Sequence, residues 1–474
     1  MKTYIENGTV IAWQDGAHRV IEGGTVVIED DAILEVGAAI APPAQPCTRI
    51  DARGRIVMPG FVNIHLHVTD TLYTKGYLED ASNLAPQAKA TNYGTLYQTL
   101  PAVRHAIDPQ AQVVAAECAF AELARTGSTT VVELGFDYEV GGDGDIAITE
   151  QVAQAAMATG LRCYSGPRYR AMHYGHAPAG KVWYEPYPDQ GRRRFRDCVD
   201  FCTGWDGKYE GRLRTMLAPG QIDTCDPQML RDTRRIAEAH RLPIQVHAGQ
   251  SPNEYERIQA EYGMSTVDYL LDTGLLGPDC IIGHGQIMTR DGDMASLTPA
   301  ESSALRDSLT TVAHLPWVKA RRGGVINSIH KYRQLGIRQA LGTDTYPFDM
   351  FNEMRTAVTV CRIVERAADA ISSRDVFTMA TAGGADALGR PDLGRLAPGC
   401  KADLVLVRAD TFKAAPAYDP FKFLALSATG DDVDRVIVAG KTIVENGRVL
   451  AIDMSAAVAR LDEAARRVRA NVAL

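Results

Sequence analysis

Short apolar segments with strand-like composition alternate with segments of helical periodicity through the middle of this chain. Eight such strand candidates occur in order, and most of them are followed by an amphipathic helical pattern. They cover Gly60–His67, Thr129–Leu134, Leu161–Arg168, Leu213–Pro219, Pro243–His247, Cys280–His284, Thr311–Leu315 and Ile337–Asp344. Eight strand–helix units predict an α/β fold built as a (β/α)8 barrel. A doubly wound open sheet is the alternative, but no glycine-rich phosphate fingerprint follows the first strand.

The two ends of the chain have a different sequence pattern, in which short β-rich segments are separated by tight turns. Residues 1–57 and residues 391–452 share it, so we expect them to pair into one small β-sandwich domain. The barrel domain then spans residues 58–390, and residues 453–474 have the apolar periodicity of an amphipathic helix. The long interval 68–128 between the first two barrel strands predicts an insertion over the barrel mouth.

Side chains that favour metal ions stand at the ends of the predicted barrel strands. His65 and His67 close the first strand, and their imidazoles project from the same face because side chains alternate along a strand. His247, His284 and Asp344 end the fifth, sixth and eighth strands. The carboxyl ends of barrel strands meet on one rim. Four of the 11 histidines and one carboxylate therefore converge, which predicts a metal site rather than five separate structural residues.

Charge and composition exclude several classes of partner. The formal net charge is -8, so the chain has no basic field for nucleic acid or for an anionic membrane surface. It has no long apolar span and no signal-peptide core, so we expect a soluble, cytoplasmic protein whose partner is a small molecule. The nine cysteines are odd in number and scattered, which indicates reduced thiols rather than a disulfide framework.

Several longer motifs resemble the amidohydrolase superfamily of metal-dependent hydrolases. Residues 50–67 are similar to the start of its barrel, residues 341–345 and 349–355 to its eighth-strand region, and residues 393–406 to its return into the small β-domain. The resemblance covers almost the whole chain. Within the superfamily the chain looks closest to cytosine and guanine deaminases and to s-triazine chlorohydrolases, which implies a TIM barrel with a mononuclear metal site.

The resemblance also implies which residues hold the ion. His65, His67, His247 and Asp344 match the ligands of the mononuclear enzymes, with His284 beside the ion. No lysine stands near the end of the fourth strand candidate, where dinuclear members carry a bridging lysine, which favours a single ion. Imidazole and carboxylate ligands favour Zn²⁺, with Fe, Mn and Co as alternatives. Relatives of this kind are commonly homo-oligomers, and we expect the same here.

The implied chemistry is hydrolysis by a water that the ion activates. Asp344 is predicted to take the water proton, and His284 to orient the nucleophile, polarise the substrate or shuttle a proton. Deaminases of this branch usually carry Glu three residues after the fifth-strand histidine, where this chain has Gln250. A carboxamide donates hydrogen bonds but does not relay a proton. Either His284 or Glu254 takes over that transfer, or the leaving group needs little protonation, or Gln250 only orients the substrate.

Candidates for substrate binding come from the rim and the mouth loops. His314 ends the seventh strand candidate and is predicted either to support the site from behind or to contact the substrate. Tyr93 and Arg168 lie in mouth loops, and Arg168 is expected to hold an anionic or carbonyl group or else to form a surface ion pair. Glu254, shortly after the fifth strand, is a further candidate.

These features together predict an enzyme that cleaves a C–N bond other than a peptide bond in a small molecule. The substrate classes are non-peptide amides, ureas, carbamates and amino-heterocycles. A hydrolytic dechlorinase or a thiocarbamate hydrolase on the same site is the nearest alternative, because Gln250 favours leaving groups that need little protonation. A non-catalytic metal-binding protein is the remote alternative, and it is disfavoured because all five metal-site positions are filled.

Overall fold

The computed structural model describes residues 2–38, 40–42, 46–79, 95–135, 146–176, 182–290, 296–326 and 329–473. The described strands are β1 (Lys2–Gln14), β2 (Ala17–Glu29), β3 (Ala32–Ala38), β4 (Thr48–Asp51), β5 (Arg55–Pro59), β6 (Phe61–Leu66), β7 (Ser128–Leu134), β8 (Arg162–Gly166), β9 (Arg168–Tyr169), β10 (Met172–His176), β11 (Val182–Pro186), β12 (Leu213–Thr215), β13 (Ala218–Pro219), β14 (Ile244–Ala248), β15 (Cys280–His284), β16 (Thr311–His314), β17 (Arg338–Leu341), β18 (Leu404–Arg408), β19 (Val433–Val438), β20 (Lys441–Glu445) and β21 (Arg448–Val449).

The α-helices fill the intervals between the barrel strands and end the chain. They are α1 (Leu100–His105), α2 (Pro109–Arg125), α3 (Ile146–Thr159), α4 (Pro188–Trp205), α5 (Pro227–His240), α6 (Pro252–Tyr262), α7 (Thr266–Asp272), α8 (Pro299–Asp307), α9 (Pro316–Ala320), α10 (Ile329–Gln334), α11 (Met350–Glu365), α12 (Ser373–Ala380), α13 (Ala382–Ala387), α14 (Pro420–Leu426) and α15 (Met454–Asn471). Within the described part of the chain, none of the helices is both long enough and apolar enough to cross a bilayer.

Eight parallel strands close the barrel, as the alternating pattern predicts. Strands β6, β7, β8 and β12 form one four-stranded sheet, and β14, β15, β16 and β17 form another. The two sheets meet at two parallel bridges, Leu66 with Asp344 and Leu217 with Ile244. The predicted fold class is therefore confirmed. The first of these bridges joins β6 to the residues that follow β17, so the first and eighth strand ends lie side by side.

Strands from both ends of the chain form a separate sheet outside the barrel. Its nine strands run in the order β21, β20, β19, β18, β5, β1, β2 and β3, with β4 paired to β1. Strand β5 is parallel to β1 and antiparallel to β18, so early and late parts of the chain are hydrogen-bonded directly. A side chain of β5 also reaches β19, where Arg55 Nε donates to Asp434 Oδ2 across 379 sequence positions.

A buried ion pair fastens this sheet to the barrel. Arg162 on β8 donates to both carboxylate oxygens of Asp403, at 2.6 and 3.1 Å, and both side chains are almost completely buried. Asp403 Oδ1 also accepts from the backbone N–H of Ala439. A buried charge pair is stable only when its remaining hydrogen-bonding capacity is filled, and here it is filled from the sheet. The division at residues 57/58 and 390/391 stays a prediction, since β5 continues the sheet to Pro59.

Candidate metal centre and cleft

The predicted metal-site residues lie together on one rim of the barrel. His65 is on β6 and His67 directly follows it, while His247 is on β14 and His284 ends β15. Asp344 follows β17, and its backbone N–H donates to His65 O at 2.9 Å while its carbonyl accepts from His67 N at 3.0 Å. Barrel closure therefore sets the carboxylate against the first two histidines. All five side chains are at least nine-tenths buried.

The spacing of the donor atoms suits one small divalent ion. Nε2 of His67 lies 3.3 Å from Nε2 of His247 and 3.5 Å from Oδ1 of Asp344. Nε2 of His65 lies 3.6 Å from the same carboxylate oxygen. Atoms bound at about 2.0–2.2 Å to one tetrahedral ion are roughly 3.3–3.6 Å apart. These three donor-atom pairs thus already have the spacing of one coordination sphere, and the ligand atoms form two overlapping groups within 4.8 Å, His65 with His67 and Asp344, and His65 with His247 and His284.

Backbone carbonyls orient two of these imidazoles. Nδ1 of His67 lies 2.8 Å from the carbonyl oxygen of Leu134, and Nδ1 of His247 lies 2.7 Å from that of Gly220. Because a carbonyl oxygen only accepts, each Nδ1 carries the hydrogen and each Nε2 keeps its lone pair. The lone pairs are directed at the shared centre, as a metal ligand requires.

Gln245 orients the third imidazole, and sequence reasoning missed it. Its Nε2 lies 2.9 Å from Nδ1 of His65 and donates to the carbonyl oxygen of Ile64 at 3.0 Å. Gln245 stands two positions before His247 on β14, so both side chains project from the same face of that strand. That alternation was the available signal, because any polar residue two positions before a ligand on a barrel strand faces the same centre.

His284 reaches the centre through an unusual backbone conformation. Its φ is +76°, and that of Asp344 is +60°, a region that costs a non-glycine residue about 1–3 kcal/mol. The His284 ring lies 5.5 Å from the His65 ring and 5.6 Å from the His247 ring, between centroids. Neither ring nitrogen of His284 has a hydrogen-bond partner among the described residues. The strain therefore places a buried, unpartnered imidazole beside the ligand set.

Burial sets the protonation states at the centre. It lowers the pKa of His67 to about 3, with the charge of Arg168 adding to the effect, and it lowers the pKa values of His247 and His284 well below the usual range. Burial alone raises the pKa of Asp344, but the facing imidazoles outweigh it and hold this pKa well below its usual value. The neutral imidazoles of His67 and His247, next to an ionised carboxylate, are in the protonation states that bind a divalent cation.

A cleft adjoins the centre. Its walls include His67, His247, Asp344, Gln250, Arg168 and Arg322. Arg168, predicted to bind substrate, is at the cleft wall, where its Nε donates to the carbonyl oxygen of Gly135 at 2.6 Å. Tyr93, the other mouth-loop candidate, lies outside the described residues. Space for a small molecule therefore adjoins the donor atoms.

Gln250 also lies at the cleft wall. Its Oε1 accepts from Gln221 Nε2 at 3.3 Å, and its backbone oxygen accepts from Lys319 Nζ at 3.1 Å. With the side-chain oxygen occupied, the amide N–H₂ is the part of Gln250 that remains for a ligand in the cleft. The residue is placed to donate hydrogen bonds to a substrate, and not to relay protons.

Glu254, predicted to contact substrate or to take over proton transfer, is hydrogen-bonded to the loop that carries Gln250, and both roles stay predictions. It is fully buried outside the cleft wall, and its Oε1 accepts from Gly249 N at 2.5 Å. The reason is local, because Ser251 is the N-cap of α6 and Glu254 is the third helical residue, where acidic side chains turn back to the preceding backbone. The Ser-x-x-Glu spacing of residues 251–254 is typical of a helix N-terminus, and it was the sequence signal for this position of Glu254. Glu254 holds the loop that carries Gln250.

His314, predicted either to support the site from behind or to contact the substrate, makes its described contacts with a neighbouring strand and helix. Its Nε2 donates to Gln339 Oε1 at 2.6 Å, and its ring lies 5.8 Å from the Tyr332 ring of α10. The preceding Ala313 belongs to the apolar cluster inside the barrel, to which nearly every barrel strand contributes. Because side chains alternate along β16, His314 must point outward into the helical layer. It supports the barrel wall.

Glu133 on β7 is a buried acid next to this centre, close to the backbone N–H of Val68. Burial raises its pKa to about 8, so it is mostly protonated in the folded protein at neutral pH. An unfolded Glu ionises near pH 4.5, so the stability that the protonated group provides is lost as pH rises toward 8. We expect the free energy of unfolding of Glu133→Gln to exceed that of the wild type by about 2–4 kcal/mol at pH 8.5. At pH 4.5 the two free energies should be nearly equal.

Thermal unfolding of Glu133→Gln at several pH values between 4.5 and 8.5 measures this difference. Glu238→Gln on the exposed face of α5 is the matched control, and its difference from the wild type should not vary with pH. A Glu133→Gln difference that is equally independent of pH would contradict the prediction.

Comparison with known proteins identifies the family of the chain. Residues 56–443 match the amidohydrolase family. A 5'-deoxyadenosine deaminase from Methanosarcina acetivorans is 30% identical over 465 residues, which cover 95% of either chain. A 5-methylthioadenosine/S-adenosylhomocysteine deaminase from Halobacterium salinarum is 30% identical over 442 residues, which cover 92% of either chain.

Two solved structures share the fold over their whole length. The atrazine chlorohydrolase TrzN from Arthrobacter aurescens, complexed with zinc, superposes with a TM-score of 0.80 at 23% identity and covers 98% of this chain and 100% of its own. An adenosine deaminase from Xanthomonas campestris with bound zinc gives a TM-score of 0.79 at 22% identity, covering 99% and 98%. Together with the family match over residues 56–443, these relationships show that the chain belongs to the amidohydrolase family.

Proposed function

We propose that this protein is a metal-dependent hydrolase that cleaves a C–N bond, other than a peptide bond, in a small molecule. The mutual distances among the donor atoms carry the proposal. One divalent ion would be held by His65, His67, His247 and Asp344. Among divalent ions, Zn²⁺ best matches a set of imidazole and carboxylate ligands. Zinc is present in the two similar structures of known fold. The curated relatives are deaminases of adenosine derivatives, which supports an exocyclic C–N bond as the target.

When bound, the ion supplies Lewis acidity that favours ionisation of water near neutral pH. The other roles belong to the chain itself. Asp344 is ionised and accepts the proton of the attacking water. His284, neutral and without a partner among the described residues, hydrogen-bonds the nucleophile or the substrate oxygen. Gln250 donates its amide N–H to the substrate and holds it in place.

Gln250 favours a second possibility for the leaving group. Relatives that deaminate usually have a carboxylic acid at this position, and the acid protonates the departing amine. An amide cannot protonate the leaving group, so this site favours leaving groups that depart without a proton over ammonia. A hydrolytic dechlorinase or a thiocarbamate hydrolase on the same site is therefore the second candidate function.

We expect Gln250→Glu to raise ammonia release from aminopyrimidines at least about tenfold in kcat/KM, because it restores a proton donor. Release of chloride or thiol from the corresponding halo- and thio-substituted rings should change far less. An assay of each leaving group with both proteins measures the difference. Gln259→Glu on α6 serves as the control, since its side chain is exposed. Equal gains for all leaving groups would show that position 250 does not control protonation.

The proposal as a whole is tested with metal-loaded and chelated protein. A panel of amides, ureas, carbamates, aminopyrimidines and s-triazines is incubated with each, and ammonia, amine, chloride and thiol are quantified separately. We expect turnover of at least one class by the metal-loaded protein, loss on chelation, and recovery when Zn²⁺ is restored. Full activity in a metal-free preparation would refute the proposed mechanism.

We also propose that the protein works in a reducing, cytoplasmic setting as a homo-oligomer. All nine cysteines are free, and seven of them are buried, which is usual for thiols that never meet an oxidant. Relatives of this kind commonly form homo-oligomers. Sedimentation of the purified protein gives its oligomeric state directly.

A further inference from the structure

The segment that follows β16 bridges two loops of the cleft. Lys319 Nζ donates to the backbone oxygen of Gln250, on the loop after β14. Arg321 Nη1 donates to the backbone oxygen of Tyr346 at 3.0 Å and its Nη2 donates to Thr345 Oγ1 at 2.8 Å, on the loop after β17. The Arg321 guanidinium also lies 4.6 Å from the centroid of the Tyr346 ring. The segment is thus held from both sides, and its position relative to Asp344 is set.

Arg322 is the next residue, and it differs from its two cationic neighbours. It lines the cleft together with Asp344 and Thr345. Its Nε is buried and has no hydrogen-bond partner, and no ion pair to Arg322 occurs in the part of the chain that the structure describes. The side chains of Lys319 and Arg321 are hydrogen-bonded to the neighbouring loops. Of the three cations of this segment, Arg322 is the one that lines the cleft.

The surroundings of Arg322 make an unpaired guanidinium costly. Burial and the charge of Arg321 lower its pKa to about 10, which still leaves it fully charged at neutral pH. Lys319 has the same sign of charge.

Asp70 and Asp344 are the carboxylates of the cleft wall, but Asp70 is paired with Arg104 at 2.6 Å and the charge of Asp344 is committed to the proposed ion. The charge of Glu79 also acts on Arg322, but the two residues form no ion pair among the described residues. A largely desolvated guanidinium with no ion pair among the described residues is therefore available to a ligand that brings a negative charge.

We propose that Arg322 binds a carboxylate group of the substrate, so that the substrate is a carboxylate-bearing amide, urea or related C–N compound. This rests on the proposed function for the position of the scissile bond. The planar guanidinium matches a carboxylate with two parallel hydrogen bonds, which a neutral carbonyl cannot form. Arg168 lines the same cleft and adds a second positive charge. A substrate carboxylate would also offset these two positive charges at the cleft wall.

The test measures binding of three acids, N-acetylglycine, N-acetyl-β-alanine and N-acetyl-γ-aminobutyrate, and of their primary amides. Titration calorimetry with the metal-loaded full chain gives each Kd, with turnover products monitored in parallel. The chain-length series is needed because the carboxylate must reach Arg322 while the amide lies at the centre. Arg322→Met, Arg322→Lys and the exposed control Arg235→Met are compared with the wild type.

We expect the wild type and Arg235→Met to bind at least one acid more than tenfold more tightly than its amide. Arg322→Met should lower this preference about 10- to 100-fold. Arg322→Lys should retain part of it, because an ammonium keeps the positive charge but cannot form the two parallel hydrogen bonds of a guanidinium. Equal affinity for acid and amide in the wild type would overturn the inference. An acid preference in Arg322→Met equal to that of the wild type would also overturn the inference, because it would show that the metal ion binds the carboxylate.

The binding measurement separates this inference from the proposed function. An acid preference that depends on Arg322, without hydrolysis of any panel compound, supports the carboxylate site and rejects the hydrolase. Hydrolysis of the panel without an Arg322-dependent preference supports the hydrolase and rejects the carboxylate site. The metal content of every variant is determined beside these measurements, so that loss of the ion is not mistaken for loss of the guanidinium.

Discussion

Replacement of His247 by asparagine is expected to abolish stoichiometric metal binding and to lower kcat/KM by at least about 1000-fold. His247 Nε2 lies 3.3 Å from His67 Nε2, and the ring of His247 lies 4.8 Å from the ring of His65 between centroids. Asparagine is shorter than histidine and offers an amide oxygen, so one of the nitrogen donors is withdrawn. Loss of that donor leaves two imidazoles and one carboxylate, too few for a tight Zn²⁺ site with a free position.

Metal per chain, measured by elemental analysis, and kcat/KM on the best panel substrate test this expectation. His240→Asn is the matched control, because His240 ends α5 at the surface, far from the rim. The thermal midpoint of the metal-free His247→Asn protein should stay close to that of the metal-free wild type. A His247→Asn protein that retains one ion per chain and wild-type turnover would remove His247 from the ligand set.

Asp344→Asn is expected to lower kcat by about 10³-fold while metal remains bound at reduced affinity. The backbone of residue 344 keeps its hydrogen bonds to His65 and His67, so the barrel closes as before. The asparagine side chain has almost the same shape and still offers one oxygen to the ion. What is lost is the ionised carboxylate that accepts the proton of water, and an amide has no such capacity.

A pH–rate profile distinguishes loss of the base from loss of the metal. With excess Zn²⁺ present, the Asp344→Asn rate should remain low and should rise with pH, because hydroxide from solvent replaces the missing base. Asp453→Asn at the N-cap of α15 is a suitable control, since asparagine caps a helix as well as aspartate does. A variant that reaches the wild-type kcat on addition of Zn²⁺ would limit Asp344 to metal binding.

The sequence was sufficient for the barrel and for the placement of the rim side chains. A period of two residues places His65 beside His67, and the common end of parallel strands explains why His247, His284 and Asp344 meet them. Neither argument depends on loop geometry. For the same reason the bridge between Leu66 and Asp344 follows from barrel closure, although only the structure shows its hydrogen bonds.

Residues outside that regular pattern were harder to predict. The direction of His314 depends on which face of β16 is interior, and the apolar run Thr311–Leu315 does not distinguish the two faces. Glu254 was assigned by its nearness to His247, whereas helix capping determined its position. Arg322 belongs to a loop whose path is set by tertiary contacts of its neighbours, and one sequence alone does not show such contacts.

The nine-stranded sheet has a consequence for how this protein is made. Strand β5 leaves the ribosome early, but its partner β18 follows only after the entire barrel has been synthesised. At about 5–20 residues per second, the edge of β5 that will pair with β18 stays open for roughly 20–70 s. Unpaired strand edges recruit other chains. We therefore expect synthesis rate and nascent-chain chaperones to affect the yield of folded protein, because the sheet can close only when translation is almost complete.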